Sequence, residues 1–308
     1  KVDRAVIGRP ARYSLDDVSE GLALHRMRKG AEFAGFKEVI FVPEPTAAAL
    51  DYRRQLKQEK NVLIGDFGGG TSDFTIMKMS AKAFQKSDVL GVDGCAVAGD
   101  ALDCVFMSER LNRSFGAKCA YQLPMSSNIL SMPPLVMERL NKPAHIVHLN
   151  ENDTRSFLKE VQKCALSQAD KLALHRLFVL MEDQQIFPFF EKIEKTKIEL
   201  SLAAKAVFSF TYPELEIEDL FYQSEFEHWS EKIRAAIVAA LDRCLNQAQL
   251  KDSEIDLVFL TGGSAHVPLI RRQFESRFGH EKMVTQNYFH SVLSGLIEAA
   301  THSGAMWL

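Results

Sequence analysis

The sequence predicts an α/β protein of two lobes, and three observations carry that prediction. Short apolar runs alternate with longer amphipathic segments, the trace that strands and helices of one α/β domain leave in a sequence. Residues Asp66 to Asp73 read Asp-Phe-Gly-Gly-Gly-Thr-Ser-Asp directly after the apolar run Asn61 to Gly65, and a second extended run, Ser72 to Met79, follows at once. A second glycine connection, Gly262-Gly263-Ser264, comes after the apolar stretch Ile255 to Thr261 and before Pro268. At 308 residues the chain exceeds the length at which a single core keeps growing, so two lobes are expected.

Asp3 to Gly8 reads as a strand, Asp16 to Ala34 as a helix, and Val39 to Val42 as a strand stopped by Pro43. Pro45 sits where the first turn of a helix tolerates it, and that helix is expected to run through the alanines to about Gln58. After the glycine hairpin, Ser87 to Val92 is extended and Gly99 to Phe115 is helical in spacing. From Gly116 to Asn152 four prolines (Pro124, Pro133, Pro134, Pro143) exclude a long regular element. Helical periodicity is expected from Thr154 to about Ala203 with a break near Pro188. A strand at Val207 to Phe210, a long helix from Glu225 to Leu250, a helix opened by Pro268 and a last helix from Ser291 to His302 complete the pattern.

The chemistry is concentrated at the glycines. A strand delivers Asp66 to its end, and three residues without Cβ then let backbone N–H groups close around an anion. Because Ser72 to Met79 is extended, the loop joins two strands. A P-loop or a dinucleotide fingerprint needs a helix at that point, so both are excluded. The set Gly68, Gly69, Gly70 and Thr71 is therefore read as a phosphate cradle, with Asp66 and Asp73 as hard oxygens for Mg²⁺ acting through water. Gly262, Gly263 and Ser264 form a second arm ahead of a helix N-terminus.

A formal net charge of −3 gives no basic field for nucleic acid or acidic lipid. No apolar stretch is long enough to cross a bilayer. The five cysteines are odd in number and contain no Cys-x-x-Cys, which reads as reduced thiols in a cytoplasmic protein. His145 and His148 have no third ligand at a metal-binding spacing.

The order Val42-Pro43-Glu44-Pro45-Thr46-Ala47-Ala48-Ala49-Leu50, then Asp66 to Asp73, then Ala98-Gly99-Asp100-Ala101-Leu102-Asp103, then Gly262-Gly263-Ser264-Ala265-His266-Val267-Pro268, resembles the nucleotide-binding domain of DnaK-type heat-shock chaperones. These belong to the actin and sugar-kinase superfamily. The opening Arg4 to Pro10 is most similar to the stand-alone, YegD-like branch, and the likeness is weakest between Gly116 and about Glu191. The resemblance implies a ribonuclease-H-like, actin/DnaK-type ATPase fold. Residues 1–58 would be part of lobe I, 59–98 and 223–290 the core of lobe II, 99–222 an inserted, mainly helical lid, and 291–308 a helix returning to lobe I.

It also implies roles, residue by residue. Glu44 matches the acid that orients the attacking water, and Asp66 and Asp73 match the two aspartates of the metal's hydration shell. Gly69, Gly70 and Thr71 match the phosphate cradle, and Gly99, Glu194, Lys197, Ser201 and Gly262 to Ser264 match nucleotide contacts. Ile198 and His266 stand where the family places arginines that sandwich adenine, which removes cation–π stacking of ~1 kcal/mol each, although His266 can still stack. Family members open with a further strand–glycine hairpin and a lysine downstream of it; neither is found in these residues, nor is a peptide-binding β-sandwich. The expected function is therefore ATP or ADP binding, with Mg²⁺-dependent hydrolysis in the complete protein and weak, inactive binding by these residues alone. A non-catalytic nucleotide-sensing scaffold, an actin-like polymer subunit and a sugar kinase are the alternatives.

Overall fold

A computed structural model describes residues 3–10, 13, 16–44, 47, 56–80, 86–284 and 288–301. The chain opens with β1 (Arg4–Arg9), α1 (Asp17–Phe33) and β2 (Glu38–Pro43), and β1 pairs parallel with β2. The Asp16 carboxylate caps α1 by accepting from the Ser19 N–H at 2.8 Å, satisfying a donor that has no partner inside the helix. The helix expected from Pro45 to Gln58 falls largely outside the described residues. Next come β3 (Lys60–Phe67), β4 (Ser72–Met79) and β5 (Val89–Cys95).

The elements that follow are α2 (Gly99–Glu109), the two-residue strands β6 (Ala120–Tyr121) and β7 (Leu130–Ser131), α3 (Pro134–Leu140), α4 (Asn152–Cys164), α5 (Gln168–Glu182) and α6 (Ile186–Leu202). The proline-rich region thus carries only short pieces. The helical stretch to Ala203 is three helices, and Pro188 is not its breaker. Pro188 lies in the first turn of α6, where a missing N–H costs nothing. The breaks fall at Ala165 to Ser167, whose hydroxyl caps α5 by accepting from the Asp170 N–H, and at Asp183 to Gln185, where Gln184 takes a φ of 55°.

The strand expected at Val207 to Phe210 is longer, β8 (Lys205–Tyr212), and it turns through Glu214, at φ 62°, into an antiparallel strand β9 (Leu215–Tyr222). The single helix expected from Glu225 to Leu250 is two, α7 (Gln223–Trp229) and α8 (Glu231–Ala248), separated at Ser230. The remaining elements are β10 (Leu257–Thr261), α9 (Pro268–Phe278), β11 (Met283–Val284) and α10 (Tyr288–Thr301).

Contacts divide the chain into two units. One comprises residues 1–98, 234–266 and 270–308, and the other residues 99–233 and 267–269. In the first unit five strands form a mixed sheet in the order β11-β10-β3-β4-β5, with β4 antiparallel to both β3 and β5 and β10 parallel to β3 and β11. This order is consistent with an actin-like ATPase fold. One face carries a cluster of Val62, Ile64, Met77, Met79 and Phe259. On the other face Phe67, Phe74 and Phe274 of α9 meet edge-on and stacked at centroid distances of 5.5 to 6.0 Å. Each such buried ring contributes on the order of 2 kcal/mol of transfer free energy. Val292 of α10 packs both on the first cluster and on a second one built from Val42, Ala47 and Ala299.

In the second unit the β8–β9 hairpin turns Ala206, Phe208, Leu215, Ile217 and Phe221 inward, in the strict alternation of a one-sided sheet. Phe106 of α2 packs between Phe221 and Phe226, with both centroids 5.0 Å away.

Candidate functional site

The glycine loop is a hairpin tip. Phe67 faces Ser72 in the antiparallel register of β3 and β4, leaving Gly68 to Thr71 as the connection. The Gly68 N–H is spent inside that loop, donating to the Thr71 carbonyl at 3.0 Å. Gly69 and Gly70 are exposed, and among the described residues their N–H groups meet no protein acceptor. A Cβ on Gly70 would touch nothing within 4 Å, so its missing side chain serves access to the backbone and not packing.

Strand periodicity then aims two carboxylates the same way. Val62, Ile64 and Asp66 share one face of β3, Asp73, Thr75 and Met77 share it on β4, and Asp66 is the direct cross-strand partner of Asp73. On its other side Asp66 is opposite Thr261 of β10. Burial, then the charge of Glu44, then that of Asp73 push the Asp66 carboxyl up to about 6. Burial also raises Asp73, partly offset by the Thr71 hydroxyl, which donates to Asp73 Oδ2 at 2.9 Å. Glu44, at the end of β2, is raised by burial as well.

Two glycines make room for these acids. A Cβ on Gly8 of β1 would sit 3.3 Å from Glu44 Cγ, and one on Gly94 of β5 would sit 2.5 Å from Asp73 Oδ1. Asp66, which feels the charge of both Glu44 and Asp73, lies beside exposed amides in a site whose own charges are unbalanced. A divalent cation relieves that imbalance, and the all-oxygen donor set suits Mg²⁺. Among the described residues no three His, Cys, Asp or Glu side chains converge closely enough to ligate an ion directly.

The second glycine loop is fixed to the first. Gly262 has a φ of 84°, and a Cβ there would lie 2.2 Å from the Phe67 carbonyl oxygen and 2.9 Å from Asp66 Oδ1. The buried Ser264 hydroxyl donates to the Gly68 carbonyl at 3.0 Å. Residues Gly263 to His266 form a short 3₁₀ turn before α9, and Gly263 and His266 are exposed.

The other candidates belong to the second unit. Gly99 is buried at the start of α2. On α6, Glu194 is exposed, whereas Lys197 and Ser201 on the same face are buried, so this is not a solvated charge stripe. Lys197 Nζ lies 2.8 Å from Asp103 Oδ1, and Ser201 donates its hydroxyl back to the Lys197 carbonyl at 2.9 Å. Burial raises Asp103 to about 6, outweighing the opposing effect of Lys197. Ile198 is half exposed.

Gly8, Gly94 and the side chain of Asp103 were not legible as site components. Each acts on a partner between 21 and 94 positions away, and no local pattern announces such a partner.

The Hsp70 protein family matches residues 1–120 and 179–306, and the unmatched segment falls inside the stretch from Gly116 to Glu191. The chaperone protein DnaK of Deinococcus deserti is 26% identical over 99% of this chain and 39% of its own length. That of Thermosipho melanesiensis is 27% identical over 99% of this chain and 41% of its own length, and that of Deinococcus radiodurans 25% over 99% and 39%. The chain therefore spans about two-fifths of the length of these relatives. Among the described residues no helix is long and apolar enough to cross a membrane. With its family match running through both glycine loops and most of the remaining sequence, the chain belongs to the Hsp70 family.

Proposed function

We propose that the chain carries the phosphate-binding glycine loops of an ATP-binding, DnaK-like protein of the YegD-like branch, which hydrolyses ATP with Mg²⁺ in the complete protein. The observation that carries this reading is the Asp66–Asp73 cross-strand pair beneath an exposed glycine hairpin, with Glu44 close enough to act on Asp66. Like charges directly opposite each other destabilise a sheet, so their retention calls for a ligand that balances them. When bound through water at these acids, Mg²⁺ supplies the charge that phosphate oxygens need.

The chain's own groups do the rest. The Gly69 and Gly70 amides bind phosphate oxygen, and Thr71 holds Asp73 in place through its hydroxyl. Glu44, partly desolvated and therefore more basic than a free carboxylate, accepts a proton from a water lined up for attack. Gly99, Glu194, Lys197 and Ser201 are the residues that the family resemblance assigns to nucleotide contacts. Phosphoryl transfer asks mainly for positioning and charge neutralisation, which such a set provides.

Calorimetric titration of the chain with ADP, with and without Mg²⁺, tests the reading. Binding that strengthens with Mg²⁺ and loses that gain in Asp66→Asn supports it; binding indifferent to both overturns it.

A non-catalytic nucleotide sensor is the second reading. It is favoured by the Lys197–Asp103 pair, which occupies the lysine that would contact the nucleoside, and by Ile198 and His266. ADP binding with no phosphate release by the complete protein would select it.

A further inference from the structure

Asp93, on the edge strand β5, has a buried carboxylate that takes no part in the site described above. Arg243 of α8 grips it in a fork: Nε donates to Oδ1 at 3.1 Å and to Oδ2 at 3.2 Å, and Nη2 donates to Oδ1 at 2.7 Å. Gln247, one turn on, donates to Oδ2 at 3.2 Å and accepts the Val92 N–H at 3.1 Å. The pair joins a buried carboxylate to a half-exposed guanidinium, so solvent screens much of its attraction and it adds little stability. What it does impose is a fixed position.

That position is Gly94. Its N–H donates to Asp93 Oδ1 at 2.8 Å, and its carbonyl accepts from Arg243 Nη2 at 3.2 Å, so both polar groups of the Gly94 peptide backbone are held by the pair. Gly94 is in turn the cross-strand partner of Asp73, at the spot where a single Cβ would come within 2.5 Å of Asp73 Oδ1. Helix α8 also lies tight on this strand, since a Cβ on Gly91 would be 2.5 Å from the Cys244 carbonyl.

We infer that Arg243 and Asp93 are positioning residues: they lock Gly94 against Asp73 and so fix the carboxylate that holds the hydrated metal. The inference rests on the proposed metal role of Asp73. Without the fork the end of β5 shifts, and Asp73 loses the wall that sets its rotamer. Asp73 Oδ2 also accepts from the exposed Thr71 hydroxyl at 2.9 Å.

The test uses the full 308-residue chain, with Mn²⁺ as the probe and ADP at saturating concentration; free Mn²⁺ is counted by electron paramagnetic resonance. Asp73→Asn, Arg243→Gln and Gly94→Ala are compared with the parent, and Arg243→Lys serves as a milder variant should Arg243→Gln not fold. Arg243→Gln and Gly94→Ala are each expected to raise the Mn²⁺ midpoint ~10-fold, the usual cost of losing a group that orients a ligand, with Arg243→Lys between them and the parent. In the Arg243 variants ADP binding without metal stays at the parent value, which a general loss of structure would not allow. An unchanged midpoint in the Arg243 and Gly94 variants, with Asp73→Asn raised, overturns the positioning role alone. An unchanged midpoint in Asp73→Asn overturns the metal reading, and this inference with it.

Discussion

The Ser264 hydroxyl donates to the Gly68 carbonyl at 3.0 Å, joining two glycine loops that are 196 positions apart in the chain. Together with the close approach of Gly262 to Phe67, this makes the hairpin tip and the second loop one rigid seat under Asp66. Rigidity of this kind spares a phosphate site the cost of ordering itself when the ligand arrives.

The two glycines of the second loop are expected to differ sharply. Gly262→Ala meets both a positive φ and the Phe67 carbonyl, and should cost ~3 kcal/mol or more in chemical denaturation. Gly263→Ala enters open space and should stay within ~0.5 kcal/mol of the parent. Equal costs would show that the loops are not in contact in solution.

Asp66 makes metal-free stability depend on pH in a defined direction. Its carboxyl ordinarily titrates at 3.8 and in the fold near 6, so between those values the folded chain holds the extra proton. Stability from this group is complete at low pH and is lost as pH rises through about 4 to 6. Asp66→Asn should therefore be more stable than the parent at pH 7.5, by about 1–2 kcal/mol once solvent screening is allowed for, and equal to it at pH 3.5. Thermal unfolding without Mg²⁺ at the two pH values checks this. The same substitution should abolish the Mg²⁺ enhancement of ADP binding.

Lys197→Met should leave Asp103 buried without its partner and cost ~3–5 kcal/mol, while Lys197→Met with Asp103→Leu should recover most of that loss. Urea denaturation of the two variants decides it. A double variant no more stable than the single one would mean that the loss does not come from the unpaired Asp103 carboxylate.

His266→Arg restores a guanidinium at an exposed position after the second glycine loop. If the adenine ring lies there, as the family resemblance implies, ADP affinity should rise about 5-fold, the equivalent of ~1 kcal/mol of cation–π stacking. Competition with inorganic pyrophosphate separates this gain from a general charge effect, since pyrophosphate has no ring to stack.

The hairpin, its two aspartates and the glycine turn ahead of Pro268 were readable in the sequence, because each is set by local rules. Glycine permits a tight turn, alternation fixes the face of a strand, and proline tolerates a first helical turn. The same local rules placed a break near Pro188, and the chain does break at Asp183 to Gln185, while the proline itself is tolerated in the first turn of α6. They merged α7 with α8 and missed β9, although Leu215-Glu216-Ile217-Glu218 alternates in the sequence itself. Tertiary structure alone decided which acids share a field and which glycines give way to them. Asp66 feels Glu44, Gly94 yields to Asp73, and Lys197 turns to Asp103 because burial and close approach act between residues far apart in the chain. Sequence spacing carries no trace of such encounters until the backbone brings them together.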